Sequence, residues 1–178
     1  MAATPLEQAR ISCDMNARYH ACREAYLDML HRWFMFGIIV LGAAAIVDIL
    51  PPGWGWLRGA FAAGTAVFGA LDLTFDLSNR ARMHALMKRR YFDLLADLIE
   101  GKINLEELRA TIKSIQRPMK EPAYHALLHS CWNAAQEMVY GREAAAVEIP
   151  RHHLVMKNCM RFSSTRYRLK DRAKTARG

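Results

Sequence analysis

The sequence predicts an all-α membrane protein: a two-helix transmembrane hairpin, extended by an antiparallel cytoplasmic helical stalk and followed by two or three short cytoplasmic helices. Two apolar runs, at about 33–50 and 56–75, predict the hairpin. Eighteen to twenty helical residues cover about 27–30 Å, roughly the hydrocarbon thickness of a bilayer. Pro and Gly residues at 51–55 separate the runs. Apolar residues recur at helical spacing before the first run and after the second, and they predict the two helices of the stalk.

Charge divides the chain into a neutral part and a basic arm. Residues 1–149 hold sixteen Lys and Arg against sixteen Asp and Glu, whereas residues 150–178 hold nine against one. The net charge of +8 therefore comes from the arm. The sequence contains neither a glycine-rich phosphate loop nor an HExxH or GxSxG motif. We therefore expect neither an enzyme nor a cofactor.

Residues 1–32 predict an N-terminal cytoplasmic amphipathic helix. Its apolar positions recur every three or four residues, which indicates one buried stripe. These are Met15, Tyr19, Cys22, Tyr26 and Leu30. Neither Gly nor Pro interrupts 19–36, so the helix is expected to run unbroken into the first span. A cleavable signal peptide is not evident, and the first span would direct its own insertion.

Basic residues and tryptophans predict the orientation of the hairpin, 33–76. Arg18, Arg23 and Arg32 precede the first span, and Arg80, Arg82, Lys88, Arg89 and Arg90 follow the second. Arg58 is the lone basic residue near the connecting turn. The positive-inside rule therefore predicts a multi-pass protein of the bacterial inner membrane with both termini cytoplasmic. Trp33, Trp54 and Trp56 lie at the predicted span edges, where amphipathic rings are favoured.

Small residues at roughly four-residue spacing mark both spans. Such residues allow close approach of helix backbones in a membrane. The candidate packing positions are Gly42, Gly59, Ala62, Gly64, Ala66, Gly69 and Ala70. They predict packing within the hairpin, packing between protomers, or both.

Three carboxylates, Asp48, Asp72 and Asp76, lie near the ends of the spans. A charge within a membrane is costly and requires a partner or a function. One interpretation pairs Asp48 with Arg58, and Asp72 or Asp76 with Arg32. The other places the three carboxylates in a ring that lines a cation-favouring oligomeric pore.

Residues 77–101 predict the second stalk helix. Its apolar stripe consists of Met83, Met87, Tyr91, Leu94 and Leu98, and Gly101 provides the stop. Because the two striped helices leave the hairpin on the same side, we expect them to pack against each other, antiparallel.

Residues 102–149 predict a cytoplasmic helical subdomain. Asn104 and Glu107 have the spacing of a capping box at the start of one helix. Pro122 suits the first position of another helix that runs to Tyr140. His125, His129 and Cys131 are the nearest approach to a metal signal. Because Cys131 lies about 120° from His125 and about 160° from His129 around the helix, one helix cannot complete the site, and no metal is predicted.

The basic tail, 150–178, predicts a short amphipathic segment followed by disorder from Ser163. Its charges are expected to bind the anionic inner leaflet, with nucleic acid or an acidic protein partner as alternatives. No nucleic-acid role is expected for the KRR tract at 88–90. The candidate membrane-surface or partner-binding residues are Arg151, Lys157, Arg161, Arg166, Arg168, Lys170, Arg172 and Lys174.

The layout of helix, two spans and helix over about residues 15–140 resembles the SLATT group, the SMODS- and SLOG-associating two-transmembrane effectors. The features that carry the likeness are 19–26, 71–76 and Glu121-Pro122. The chain also resembles uncharacterised bacterial two-transmembrane proteins that have a tract like EPAYHALLHSCWN, here at 121–133. The resemblance implies a membrane-perturbing or pore-forming effector whose hairpins oligomerise. This chain departs from the group because it has no recognisable nucleotide-sensor domain.

Three functions therefore compete. The first is a homo-oligomeric inner-membrane effector that forms a pore or perturbs the membrane, controlled by its cytoplasmic helices. The second is a membrane-anchored scaffold or accessory subunit that captures a protein partner through those helices. The third is a holin-like lysis protein of a phage.

Overall fold

A computed structural model describes residues 4–46, 53–117, 121–141 and 144–169. The helices are α1 (Pro5–Ile46), α2 (Gly55–Phe75), α3 (Leu77–Ile99), α4 (Leu105–Gln116), α5 (His125–Tyr140) and α6 (Arg151–Val155). Outside them, the described residues contain an isolated antiparallel bridge between Val147 and Leu169. The all-α prediction is therefore confirmed.

The chain forms two compact units. We call residues 23–84 the hairpin, and residues 1–22 with 85–178 the body. Both α1 and α3 contribute to each unit.

The hairpin pairs the second half of α1 with α2 in an antiparallel arrangement. The ring centroids of Phe34 and Phe68 are 5.5 Å apart. Further along α1, Leu41 meets the earlier α2 residue Gly64, where an added Cβ would lie 3.0 Å from a Leu41 methyl group. This close approach explains the need for glycine there. Nearer the start of the hairpin, Leu27 packs against Leu77 at the beginning of α3.

A left-handed residue separates α2 from α3. Asp76 has φ 47° and ψ 47°, and its N–H still donates to the Asp72 carbonyl. Left-handed backbone is uncommon for residues other than glycine, and Asp is among those that tolerate it best. The predicted end of the second span at Phe75 therefore coincides with the end of α2.

The body packs α1 against α3 and α4. Its main cluster contains Cys13 and Ala17 from α1 and Leu108 and Ile115 from α4. The α3 members are Met87, Tyr91, Leu94 and Leu98, which is the predicted α3 stripe apart from Met83. All of these side chains are almost fully buried.

The predicted α1 stripe has a different partner from the one expected. Met15, Tyr19 and Cys22 pack against Leu127 and Cys131 of α5 rather than against the α3 stripe. Between Cys13 and Cys22, α1 is therefore apolar on two faces, one towards α3 and α4 and one towards α5. The two striped helices do pack against each other, as expected, but α1 uses Cys13 and Ala17 for this contact rather than Met15, Tyr19 and Cys22 of its predicted stripe.

Local capping signals set several helix ends. The Asn104 side chain accepts hydrogen bonds from the Glu106 and Glu107 N–H groups, and the Glu107 carboxylate accepts from the Asn104 N–H. The predicted capping box is confirmed. Gly101 has φ 71° just beyond α3, as the predicted stop requires. α5 begins at His125 rather than Pro122, and it ends before Gly141 as predicted.

Among the described residues, two helical stretches are long and apolar enough to span a membrane. They are α1 and the α2–α3 run over Gly55–Ile99. In the most apolar eighteen-residue window of α1 none of the residues is buried, and in that of the second run 6% are. These apolar surfaces therefore do not form the core of the chain itself.

Candidate functional site

A histidine and a carboxylate meet between the two hairpin helices. His31 Nδ1 on α1 lies 2.8 Å from Asp72 Oδ1 on α2, and both side chains are largely buried. This hydrogen bond offsets part of the cost of burying the two polar side chains. The sequence interpretation paired Asp72 or Asp76 with Arg32, but Arg32 forms its ion pair with Asp28, at 2.7 Å.

The other two carboxylates are in different situations. Asp76 is exposed and accepts a hydrogen bond from the Asn79 side chain at 2.9 Å. Asp48 and its proposed pairing with Arg58 lie outside the described residues. Asp72 is thus the one of the three for which the structure describes a contact between the hairpin helices.

The small residues of the hairpin divide into two sets. Added Cβ atoms at Gly42 and Gly64 would contact Thr65 and Leu41 of the opposite helix. An added Cβ at Gly59 or Gly69 would have nothing within 4 Å. Exposed on the same side of α2 are Gly59, Ala62, Ala66 and Ala70, which we call the outer stripe.

The tryptophans at the predicted span edges are exposed. Trp33, Trp54 and Trp56 each leave more than half of their surface uncovered. Their exposure is compatible with interfacial rings, which need a polar and an apolar environment together.

The basic arm folds onto α5 as far as it is described. The Asn133 side chain bonds both backbone groups of Val147, at 2.7 Å and 2.9 Å. The Glu148 N–H donates to the Arg168 carbonyl at 2.8 Å, and the His125 N–H donates to the Arg161 carbonyl at 3.0 Å. Residues 163–169 therefore follow a defined path, where the composition predicted disorder.

Histidines and aromatic rings join the arm to α5. His153 stacks on Phe162 with centroids 3.8 Å apart, and its Nδ1 lies 2.9 Å from the Tyr167 hydroxyl. Tyr167 also meets the His129 ring edge-on. Burial, followed by the nearby His125, lowers the pKa of His129. Within the described residues no three His, Cys, Asp or Glu side chains are grouped to hold a metal.

An open groove of about 750 Å³ lies beside this junction. Arg151, Arg166 and Arg168 contribute to its lining, with Glu148 as an acidic member. Three guanidinium groups against one carboxylate favour an anion. The sequence identified these arginines as candidates but did not place them around one groove.

The segment that begins at α6 has an exposed apolar surface. Its members are Leu154, Val155, Met156 and Met160. Arg151 and Arg161 are exposed in the same segment, and Lys157 is partly buried. This mixture matches the amphipathic pattern expected from the sequence, although the helix itself is only five residues long. Lys170, Arg172 and Lys174 lie outside the described residues.

Comparison of the chain with known protein families, with curated proteins and with solved structures found no match. The likeness to SLATT effectors therefore stays a prediction from layout.

Two groupings were missed by reasoning from the sequence. His31 was overlooked because the neighbouring Arg32, which always carries a charge, was the expected partner of Asp72 or Asp76. The contact between Cys22 and Cys131 joins residues far apart in the chain. The only sequence signal for it was the position of both thiols on apolar helix faces.

Proposed function

We propose that this chain is a two-span inner-membrane protein whose hairpins associate into an oligomer that forms a pore or perturbs the membrane. The helices of the body control this assembly. The observation that carries the proposal is the outer surface of the hairpin, which is apolar, exposed and marked by the outer stripe.

Lipid explains the exposed apolar side chains, and a second protomer explains the stripe. Single exposed apolar residues are ordinary, but two helices whose most apolar segments are almost entirely unburied are not typical of a soluble domain. Small residues give little contact with lipid tails, whereas they let another helix approach closely. The stripe therefore favours packing between hairpins.

The Asp72–His31 pair supports a polar function within the assembly. Ionisable groups at membrane depth usually mark an ion pathway or a structural pair. Here the pair joins α1 to α2 through a hydrogen bond of 2.8 Å, so a change at either residue alters the contact between the two helices. The carboxylate ring, one of the two interpretations of the sequence, would require Asp72 to separate from His31 or to expose its second carboxylate oxygen to water.

The assembly can be tested by filling the outer stripe. Ala66→Leu adds bulk where close approach is proposed and should weaken self-association roughly tenfold in detergent or lipid. Ala60→Leu is the matched control, since Ala60 is also exposed and lies about 120° away on α2. Fluorescence energy transfer between labelled protomers would measure both. Equal effects of the two substitutions would exclude the stripe as the interface.

The pore can be tested by ion flux from liposomes. Asp72→Asn removes the charge while keeping an oxygen for the imidazole, and it should reduce cation selectivity or flux. Asp76→Asn is the control, because Asp76 faces Asn79 and Asn also tolerates left-handed backbone. Absence of flux from the wild-type chain in every oligomeric form would count decisively against a pore.

We further propose that the α6 segment binds the anionic inner leaflet. Its exposed Leu154 and Val155 can enter the interface, while Arg151 and Arg161 contact phosphate groups. Cys159 is exposed in the same segment and reports on burial. Its modification by a water-soluble maleimide should be slower in nanodiscs with anionic lipid than in zwitterionic ones. Equal rates would refute lipid contact at this segment.

The groove favours a second candidate function, a membrane-anchored scaffold. Its arginines suit an acidic peptide of a partner subunit. Arg166→Glu with Arg168→Glu should abolish binding of such a partner while leaving liposome flux intact. Loss of flux without loss of any partner would favour the pore instead.

A further inference from the structure

Two cysteines meet where α1 and α5 pack together in the body. Cys131 is buried on α5, and Cys22 of α1 packs against the same cluster as Leu127 and Tyr19. The Tyr19 hydroxyl accepts a hydrogen bond from the Tyr124 N–H at 3.2 Å, just before α5 begins. The packing and this hydrogen bond hold the two helices, and hence the two thiols, in a fixed relation.

The thiols interact directly. Cys22 packs against the cluster that contains Cys131, which brings the two thiols within hydrogen-bonding range. Cys22 is only partly buried, so it is the member that a small reagent reaches first. Cys131 lies behind it and is 5% exposed.

Two cations face the pair from different elements. Arg18 lies one helical turn before Cys22, with its Nε 2.6 Å from an Asp14 oxygen and its Nη2 3.4 Å from the Met138 sulfur. Lys157 approaches from the segment after α6. These charges favour a thiolate at Cys22.

The cysteines differ strongly in acidity. The hydrogen bond from Cys131 lowers the pKa of Cys22 to about 6; desolvation opposes this shift, and Lys157 and Arg18 add to it. The bond to Cys22, together with burial, raises the pKa of Cys131. Cys13, buried among apolar side chains, has its pKa raised by burial to about 11. One reactive thiolate beside one protonated thiol is the arrangement of an attacking and a resolving cysteine.

We propose that Cys22 and Cys131 form a dithiol site that low-molecular-weight disulfides oxidise to an intramolecular disulfide between α1 and α5. The Cys22 thiolate attacks one sulfur of the small disulfide RS–SR. A mixed disulfide forms, and one thiolate RS⁻ leaves. Cys131 then passes its proton to a base and attacks the Cys22 sulfur, displacing the second RS⁻. In balance, two protein thiols and RS–SR give one protein disulfide and two RSH.

The bond would fix α5 to α1. Met138 of α5 already contacts Arg18, and the arm is attached to α5 through the hydrogen bond from the His125 N–H to the Arg161 carbonyl. Oxidation therefore stabilises the packing of α5 and the arm on α1. This site does not depend on whether the hairpins form a pore, because every group in it belongs to the body.

The test uses the full-length protein in detergent, reduced, freed of reductant and then treated with oxidised glutathione. Free thiols should fall from the four cysteines of the chain to two. Peptide mapping without reduction should recover the tryptic fragment 19–23 linked to 121–142. A bridge between any other two cysteines, or glutathione that remains on Cys22 beside a free Cys131, would overturn the proposal.

Single cysteine substitutions distinguish the attacking cysteine from the resolving one. Cys131→Ser should retain one glutathione on Cys22, and Cys22→Ser should leave Cys131 unmodified. Cys159→Ser is the matched control and should form the same bridge at the wild-type rate. A chelator should leave that rate unchanged. If the chelator changes the rate, the two cysteines bind a metal and the proposed dithiol site is wrong.

Discussion

The helix α1 passes through two different environments, and its side chains are distributed accordingly. In the body, Ile11, Cys13 and Ala17 are almost completely buried by neighbouring helices. In the hairpin, Phe36 and Ile39 leave more than half of their surface uncovered. The first stretch is amphipathic and the second is apolar all round, in agreement with the division made from the sequence. The difference teaches that neighbouring helices of the chain cover the apolar side chains of α1 in the body, whereas they leave those of the hairpin uncovered.

The polar contacts of the hairpin and of the body also differ. In the hairpin, His31 and Asp72 form a pair between helices. In the body, Asp14 is buried and pairs with Arg18 one turn away on its own helix, and that arginine also reaches Met138. A hairpin pair that links two helices makes their contact sensitive to a single substitution. The body distributes its polar contacts over more elements.

The largest effect should come from placing a charge on each surface. Ile39→Arg introduces an arginine at a hairpin position that is 68% exposed and should prevent stable membrane integration. The cost is about 2.5–3.5 kcal/mol or more near the centre of a bilayer. Phe92→Arg, at a body position that is 44% exposed, is the control and should have little effect. Carbonate extraction of membranes measures both; equal extraction would remove the proposed distinction between the surfaces.

A core truncation should affect the body and spare the hairpin. Leu127→Ala empties a fully buried position between α1 and α5 and should cost about 2–5 kcal/mol of unfolding free energy. Val139→Ala, on the same helix at a position that is 36% exposed, should cost far less. Denaturant unfolding followed by Trp132 fluorescence reports on α5 in both variants. Similar midpoints for the two would show that this cluster is not a packed core.

The hairpin pair should have an intermediate effect. His31→Ala leaves Asp72 without its partner and should destabilise the hairpin by about 1–3 kcal/mol. Combining it with Asp72→Ala should recover part of that loss, because the two side chains interact directly. A double-mutant cycle on unfolding in mild detergent measures the coupling. Strict additivity would contradict a pair formed in the membrane.

The smallest effect should be a pH dependence of the junction between the arm and α5. Since the folded chain lowers the pKa of His129, the stability from its neutral form is present above the ordinary histidine pKa of about 6.5 and is lost as pH falls below it. Cleavage by a protease after Arg166 should therefore accelerate on acidification. His129→Gln should flatten this response, and an unchanged response in that variant would refute the role of His129.

Local patterns predicted the elements better than their partners. The boundary at Phe75, the capping box at Asn104 and the stop at Gly101 depend on residues close together in the chain, so they were visible in the sequence. Periodicity likewise identified the stripe at Tyr19. It did not identify its partner, because a helical period defines which face is buried and not which helix covers it.

The candidate site shows the same limit. One interpretation of the sequence paired Arg32 with Asp72 or Asp76, but adjacent residues point about 100° apart on a helix, so only one of His31 and Arg32 can face α2. Which one does so depends on the rotation of α1, and that is set by packing such as Phe34 on Phe68.

The sequence by itself determined that the chain is helical, where most helices end, and that two of them are apolar enough for a membrane. These properties follow from composition, periodicity and capping over a few residues. Only the tertiary structure decided that His31 meets Asp72, that the outer stripe faces away from the hairpin, and that Cys22 meets Cys131. Each of these depends on the rotation and packing of whole helices, since residues distant in the chain meet only after the helices have packed.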